Sequence, residues 1–491
     1  MSQIPLSITI DRYKAAMSRT EISRPVRLAM SCDLLTEETT FFDYGCGLGG
    51  DVERLQKKGF ICSGWDPYYF PDQPLLNADI VNLGYVINVI EDTEERQESL
   101  INAWSLTQKV LIVSAQVLIN DASNRLLTYG DGVVTQRNTF QKYYQQEELK
   151  LYIEQTLNVN AIPVGLGIFF IFRDESQGES FRYSGFYSYA TTPKIRVFSK
   201  KFSDCEGQLK PLIDFVTKRG RLPVKNELPE EEQLRLEFGS IKRAFQLILT
   251  ATKEEDWDAI AYKRSLDIQV YLALSNFSQR PRFNSLSPAM QADIKAFFGC
   301  YTDACETADN MLFSIGEPEV IANICKQSKI GKLLPAALYV HISALEELDH
   351  RLRIYEGCAS RTIGRMNNVT LIKFHIDKPQ ISYLYYPDFD LIEHPKLHSS
   401  MTVELQDLKV KFRDYSKQKN QPILHRKETF VTADYPLYEK FAQLTEEEIT
   451  KGLLKNSSEI GYYAAWEKRL KSMGLEIKDH HIYDVEINQT E

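Results

Sequence analysis

No histidine precedes His341 in this 491-residue chain, so any proton transfer carried out by the first 340 residues alone runs without an imidazole. The eight cysteines (32, 46, 62, 205, 300, 305, 325, 358) include no C-x-x-C pair and no three-cysteine cluster. That excludes the common thiolate zinc motifs and a radical iron–sulfur centre, and fits reduced thiols in a cytoplasm. No apolar run approaches the ~20 residues needed to span a bilayer, and the first residues lack a signal-peptide core, so a cytoplasmic protein without membrane contact is expected. An excess of basic charge is missing too. The net charge is −9, which argues against a generally basic nucleic-acid binder and leaves room for a local basic groove. Internal repeats and low-complexity segments are absent. What remains is 43% apolar and 25% charged, the balance of an ordinary globular protein with two to four domains.

Against that background one stretch stands out. The run Thr39-Thr40-Phe41-Phe42 reads as a buried strand that ends on Asp43, and Tyr44-Gly45-Cys46-Gly47-Leu48-Gly49-Gly50 leads into the amphipathic helix Asp51-Val52-Glu53-Arg54-Leu55. Glycines there let the backbone approach a ligand, and the helix start offers free N–H groups. The spacing fits two cofactors. Gly45, Gly47 and Gly50 match the dinucleotide pattern G-x-G-x-x-G, while Asp43, Gly45, Gly47 and Gly49 match the D-x-G-x-G-x-G loop that binds S-adenosylmethionine. Asp43 favours the second: it would repel a dinucleotide's phosphates, whereas S-adenosylmethionine carries a cationic amino group and a sulfonium. A second strand, Phe60 to Trp65, ends at Asp66-Pro67, which places an acid where a ribose diol would lie. NAD uses such an acid as well, so Asp66 supports nucleotide binding in general.

Further strands are expected at Asp79 to Leu83, Lys109 to Ala115 and Gly167 to Phe172, with helices at Thr93 to Gln108 (capped by Thr93) and Gln145 to Gln155. This alternation implies a mostly parallel sheet with ligands at the carboxyl ends of its strands. Too few residues separate Asp66 from Asp79 for a full helix and a third strand, so that edge is expected to be short. The polar stretch Asp174 to Ser180 reads as a boundary. Residues 205–345 read as mainly helical, with breaks near Arg219-Gly220-Arg221-Leu222-Pro223 and Gln279-Arg280-Pro281, and the helical pattern continues over Gly331 to Leu348. Strands return at Val369 to His375 and Ile381 to Tyr385. The expected fold is α/β: a Rossmann-like class I methyltransferase domain (1–175), a mainly helical domain (176–345) and an α/β C-terminal domain (346–491).

Several segments carry a family resemblance. Arg24-Pro25-Val26-Arg27-Leu28-Ala29, Phe42-Asp43-Tyr44-Gly45-Cys46-Gly47, Gly64-Trp65-Asp66-Pro67-Tyr68-Tyr69, Val81 to Asp92, Thr139 to Tyr144, Tyr386 to Asp390 and Ile423 to Phe430 resemble the methyltransferases associated with DNA phosphorothioation. Leu48 departs from the basic residue of that family, and Gly49-Gly50-Asp51 locally resembles the loop of mRNA cap guanine methyltransferases. The resemblance implies a bacterial cytoplasmic enzyme that uses S-adenosylmethionine. It also implies a setting in which DNA phosphate oxygen is exchanged for sulfur, with nucleic acid (DNA first) as acceptor and other proteins of that system as partners.

The acceptor chemistry is less sharply written. Cofactor contacts are expected from Asp43, Gly45, Gly47, Gly49, Asp66, Pro67 and Leu83, and acceptor-side roles from Tyr85, Asn88 and Lys142, with Tyr143 and Tyr144 nearby. Asn82-Leu83-Gly84-Tyr85 lies where amino-methylating DNA enzymes carry a D/N/S-P-P-Y/F/W loop, but has no prolines. No Pro-Cys occurs anywhere, which disfavours methylation of a cytosine ring carbon. His375, Asp388, Asp390, Glu393, His394 and His398 match no common ligand spacing, so no metal is expected. Basic residues with interleaved aromatics run from Lys409 to Lys427, and Lys411, Arg413, Tyr415, Arg426 and Lys427 are the expected nucleic-acid contacts. A solvated face is the competing reading. Arg12, Lys14, Arg19, Arg24 and Arg27 could line the same entrance. Two alternatives stay open: a methyltransferase for RNA or a small molecule, and a methyltransferase-like binding or regulatory protein without turnover.

Overall fold

The computed structural model describes residues 10–117, 127–195, 202, 205–364, 369–456 and 459–485. Contacts divide the chain into two compact units, Met1–Gly178 with Ala359–Asn367, and Glu179–Cys358 with Asn368–Glu491.

The first unit is built on a six-stranded sheet. Its strands are β1 (Thr40–Tyr44), β2 (Ile61–Trp65), β3 (Ala78–Gly84), β4 (Thr107–Ser114), β8 (Ile162–Gly165) and β9 (Ile168–Phe172), in the order β2-β1-β3-β4-β9-β8. β5 (Leu127–Tyr129), β6 (Gly132–Val134) and β7 (Phe140–Gln141) form a small separate sheet. β2, β1, β3 and β4 pair in parallel, and β9 and β8 close the sheet antiparallel. β1 and β9 are buried almost end to end, and β4 is buried from Val110 onward, because helices cover both faces, as a parallel sheet requires. Phe42, Val81, Leu83, Leu111, Val113, Phe169 and Ile171 form one side of the core. They pack with Leu100 and Ala103 of α3 (Thr93–Leu106) and Leu149 and Ile153 of α4 (Gln146–Leu157). α1 (Arg24–Ser31) lies against β3 and β4, and α2 (Gly50–Lys57) against β2.

The sheet ends at β2, so the short edge read from the 66–79 spacing is present. Other expectations are corrected. α3 is capped by Asp92, whose carboxylate accepts from the Glu94 and Glu95 N–H groups, and not by Thr93. The Ile162–Gly165 strand has no signature of its own, because Pro163 and Gly165 weaken its pattern.

In the second unit helices run from Glu206–Arg219 to Pro318–Gln327. Six antiparallel strands follow: β10 (Lys332–Leu334), β11 (Ala337–His341), β12 (Leu371–His375), β13 (Gln380–Tyr385), β14 (Ser399–Glu404) and β15 (Val410–Asp414). The helix expected over 331–348 is therefore a hairpin followed by a 3₁₀ turn at Ile342–Glu347. Pro335 breaks the helical run, and Leu338, Val340 and their neighbours are buried against β12.

Phe42 is fully buried at the centre of the first unit. Phe42→Ala should cost that unit about 3–5 kcal/mol, read as a lower denaturant midpoint with unchanged slope. An unaltered midpoint would contradict the packing described.

Candidate functional site

The carboxyl ends of β1, β2 and β3 meet at one place. Asp43 stands next to Gly64 of β2 and Asn82 of β3 in the pairing register. Asn82 Nδ2 donates to Asp43 Oδ1 at 2.8 Å. The Asp43 carboxyl is pushed up to about 7, by burial first and by nearby Asp51 and Asp66, with the Asn82 bond and Arg19 working against them. A buried carboxylate with one neutral partner and acids around it is a place where a cation is stabilised.

The glycine turn hangs on β2. The N–H groups of Gly45 and Cys46 both donate to Trp65 O, at 2.8 and 3.0 Å. Asp66 closes the loop: Oδ2 accepts from Gly47 N at 3.0 Å, and Oδ1 accepts from Tyr68 N and Tyr69 N at 3.0 and 2.9 Å. Oδ2 thus keeps acceptor capacity for a ligand hydroxyl. Gly45, Gly47 and Gly49 all have positive φ (80°, 54° and 73°). At Gly45 a Cβ would stand 2.5 Å from Val86 Cγ2, so the turn after β3 presses on this loop.

That second turn carries Tyr85 and Asn88. Tyr85 is held at φ 62°, a strained conformation for a bulky side chain and a mark of functional loops. The Arg19 guanidinium lies over its ring, 5.4 Å from the centroid. Burial raises the phenol, so Tyr85 serves as a hydrogen-bonding group and not as a phenolate. Asn88 is buried, and its Oδ1 has no partner; Asn82 Oδ1 and Ser114 Oγ, at the same ends of β3 and β4, are likewise buried without one. Unsatisfied acceptors gathered where the strands end are what a polar ligand would use.

Not every expected residue joins this site. The Lys142 ammonium pairs with Asp131 and Glu148, both at 2.8 Å, and as a paired cation it offers no lone pair. Its backbone N–H still touches the site by donating to Asn88 O at 2.8 Å. Leu83 points into the core, so only its backbone is available, while Pro67 is exposed beside Asp66. Tyr143 is exposed and Tyr144 is buried in the core. Arg12 pairs with Glu91 and Glu95, Lys14 with Asp11 and Arg27 with Glu21, and Arg24 is largely buried, with its guanidinium lowered by that burial. Arg24 and Arg19 both lie close enough to Tyr85 to stabilise a negative charge there, and Arg19 is the one stacked over its ring.

The missed contributors come from the segment before α1. Tyr13 stacks on Tyr68 with centroids 4.5 Å apart, Tyr69 Oη donates to Tyr13 O at 2.9 Å, and Ala16 lies over Gly47. Local pattern gives no sign of this strap, because its partners lie 31 to 56 residues away in sequence.

In the second unit, Lys411 and Arg413 are exposed on β15, the edge strand. Lys411 has Glu404 4.0 Å away, and Arg413 lies by the half-buried Tyr415, 5.9 Å from its ring. Arg426 is exposed near Glu428. Lys427 is a correction: it is 2% exposed, donates to Phe389 O and Ile392 O, and lies over the Phe441 ring. Burial lowers its ammonium to about 7. It holds the loop together and is not placed to meet nucleic acid. An open cleft lined by Tyr189, Thr192, Lys194, Asp256 and Lys263 also lies in this unit, and none of the residues expected at a site lines it.

A parallel sheet covered by helices and closed by a reversed hairpin, with acids at the ends of its first two strands around a glycine turn, is a Rossmann-like arrangement. No family model and no curated protein matches the chain. Among solved structures it is similar to a Burkholderia thailandensis 1,6-didemethyltoxoflavin-N1-methyltransferase, determined with 1,6-didemethyltoxoflavin and S-adenosylhomocysteine bound (11% identity, 30% of this chain and 75% of that one, TM-score 0.24). It is also similar to an S-adenosylmethionine-dependent methyltransferase from Clostridium acetobutylicum (10% identity, 30% and 88%, TM-score 0.22). Similarities this remote add nothing to what strand order and site geometry already say.

Gly45 and Gly59 separate strain from collision, since both have positive φ but a Cβ at Gly59 meets nothing within 4 Å. Gly59→Ala should cost about 1–2 kcal/mol of backbone strain alone. Gly45→Ala should cost more, in the same chemical denaturation experiment. Equal losses would contradict the contact with Val86.

Proposed function

We propose that the first unit binds S-adenosylmethionine and transfers its methyl group. The observation that carries this reading is Asp43: a buried carboxylate at the end of β1, beside a positive-φ glycine turn, with Asn82 as its one hydrogen-bonded neutral partner. In this reading Asp43 meets the cationic amino-acid end of the cofactor, and Asp66 takes a ribose hydroxyl on Oδ2. Pro67 and Tyr68 flank the adenine, and the backbone of Gly45, Gly47, Gly49 and Leu83 lines the floor. The cofactor supplies an electrophilic methyl group, and the protein's task is mainly to align the acceptor with it. Tyr85 and Asn88 stand on the turn that would face the acceptor, where the Asn88 oxygen accepts a proton-bearing group and the phenol orients it.

The acceptor proposed is nucleic acid, DNA first, in a bacterial phosphorothioation setting. Support comes from the segments that resemble that family and from the exposed Lys411, Arg413 and Arg426. An RNA or small-molecule acceptor is the enzyme alternative. One observation favours the non-catalytic alternative, a protein that holds the cofactor without turnover: the first unit contains no histidine, and Lys142, the lysine expected on the acceptor side, is engaged in ion pairs. A tritiated methyl-transfer assay with DNA, RNA and cell extract as acceptors separates these readings.

Cofactor binding should depend on pH in a defined direction. Asp43 must be ionised to meet a cation and is raised to about 7, so affinity should rise from pH 5.5 to 7, by up to about tenfold per pH unit. Asp43→Asn should flatten that rise and weaken binding roughly 10- to 150-fold, the range of a charge-assisted contact. Calorimetry showing wild-type affinity in the variant, or tighter binding of NAD, would overturn the cofactor assignment.

For the acceptor, binding of DNA should fall steeply with salt, because each neutralised phosphate releases counterions. Lys411→Glu, Arg413→Glu and Arg426→Glu together should weaken it and flatten the salt slope, with S-adenosylmethionine affinity unchanged. Tyr415→Ala should cost single-stranded more than duplex binding. No binding of DNA or RNA at low salt would remove the nucleic-acid proposal.

A further inference from the structure

His394, His425 and Glu448 come from three separate parts of the second unit: the loop before β14, the segment after β15, and the helix Tyr438–Thr450. Their possible ligand atoms all lie within 4.8 Å of one another, and this is the one such group found among the described residues. Glu448 and His394 are 1% and 8% exposed. His394 Nε2 and Glu448 Oε1 are 2.6 Å apart. The second carboxylate oxygen, Oε2, is buried with no partner, and so is His425 Nδ1.

The His425 ring explains its orphan. Its Nε2 donates to Ile460 O at 2.9 Å, which fixes the tautomer and leaves Nδ1 with a free lone pair. An imidazole whose far N–H is tied to a backbone carbonyl is the usual setting of a metal-ligating histidine. Trp466 closes one side, with its ring centroid 4.6 Å from those of both histidines, and is itself 3% exposed. Leaving two polar atoms unpaired in such a place is costly. A shared cation removes both costs.

We infer that His394, His425 and Glu448 form a zinc-binding site that pins the C-terminal helices to the loops of the antiparallel sheet. Two imidazoles and one carboxylate suit Zn²⁺, a borderline cation, and offer too few oxygens for Ca²⁺ or Mg²⁺. A tetrahedral ion would draw the three ligand atoms to about 3.3 Å apart and take a water molecule as its fourth ligand. Lys332, whose Nζ donates to His425 O, and the neighbouring Arg426 repel a cation; both act against binding and make the carboxylate of Glu448 indispensable. The role is structural, since the ion would join the segments that pack as Ile423, Leu453, Ile460, Trp466 and Leu475. Sequence spacing hides the set, because only His394 of the acid–histidine run around 375–398 belongs to it.

The test uses the full chain stripped of metal by a chelator and dialysed against zinc. A single bound zinc ion per chain is expected by elemental analysis, with a melting point several degrees higher than that of the stripped protein. Glu448→Gln and His425→Ala should each abolish both effects, while His398→Ala, outside the cluster, should keep them. Should the variants fold poorly, cobalt(II) added to the stripped wild-type chain should give the intense visible absorption of a tetrahedral site. Absence of zinc in the wild type with no thermal response, octahedral cobalt, or full zinc retention in both ligand variants would overturn the assignment.

Discussion

Everything proposed for the first unit depends on how Asp43 is solvated. The chain places a carboxylate at the end of a strand buried on both faces, surrounds it with Asp51 and Asp66, and gives it a single neutral hydrogen-bond donor from Asn82. Such a group is only partly ionised near neutral pH when alone, and a positive ligand beside it favours the carboxylate. The rest of the site supports that arrangement. Asp66 and Trp65 O hold the glycine turn in shape, and the turn after β3 presses Val86 against Gly45. The strap carrying Tyr13, Ala16 and Arg19 covers the turn from outside.

The same logic distinguishes the two acids. Asp66 is surrounded by three backbone N–H donors and is as much a fastening as a ligand group. Removing its charge would disturb the turn along with any ribose contact, so losses at Asp66 say less about the ligand than losses at Asp43. Tyr85 occupies a third position, where backbone strain is held by packing and by the bond from its N–H to Ser114 O. Strain kept at the carboxyl end of a parallel sheet belongs with ligand chemistry more than with stability.

Much of the first unit was legible in the sequence, since its strands are continuous apolar runs and its acids and glycines fall at fixed offsets. The Asp43–Gly49 turn, Asp66 and the short edge after β2 all follow from local pattern. What could not be read was set by long-range pairing. The 331–348 segment looks helical by periodicity yet forms a hairpin, because β12 lies ready to pair with β11. Lys427 looks like part of a basic patch, yet two carbonyls and the Phe441 ring draw it inward. Lys142 is a different case: its partners Asp131 and Glu148 lie only 11 and 6 residues away, in the loop before β6 and on α4, where no helical or strand spacing marks the pairing. The His394–His425–Glu448 group spans 54 residues and has no spacing signature.

The central claim is that Asp43 is a carboxylate kept for a cationic ligand. Carbon NMR of the Asp43 side-chain carboxyl, followed against pH with and without S-adenosylmethionine, tests it directly. The account predicts titration near 7 in the free protein and a clear downward shift on binding, with S-adenosylhomocysteine, which lacks the sulfonium charge, producing a smaller one. A carboxyl that titrates in the ordinary range below 5, or whose titration is unmoved by a bound cofactor, would contradict it.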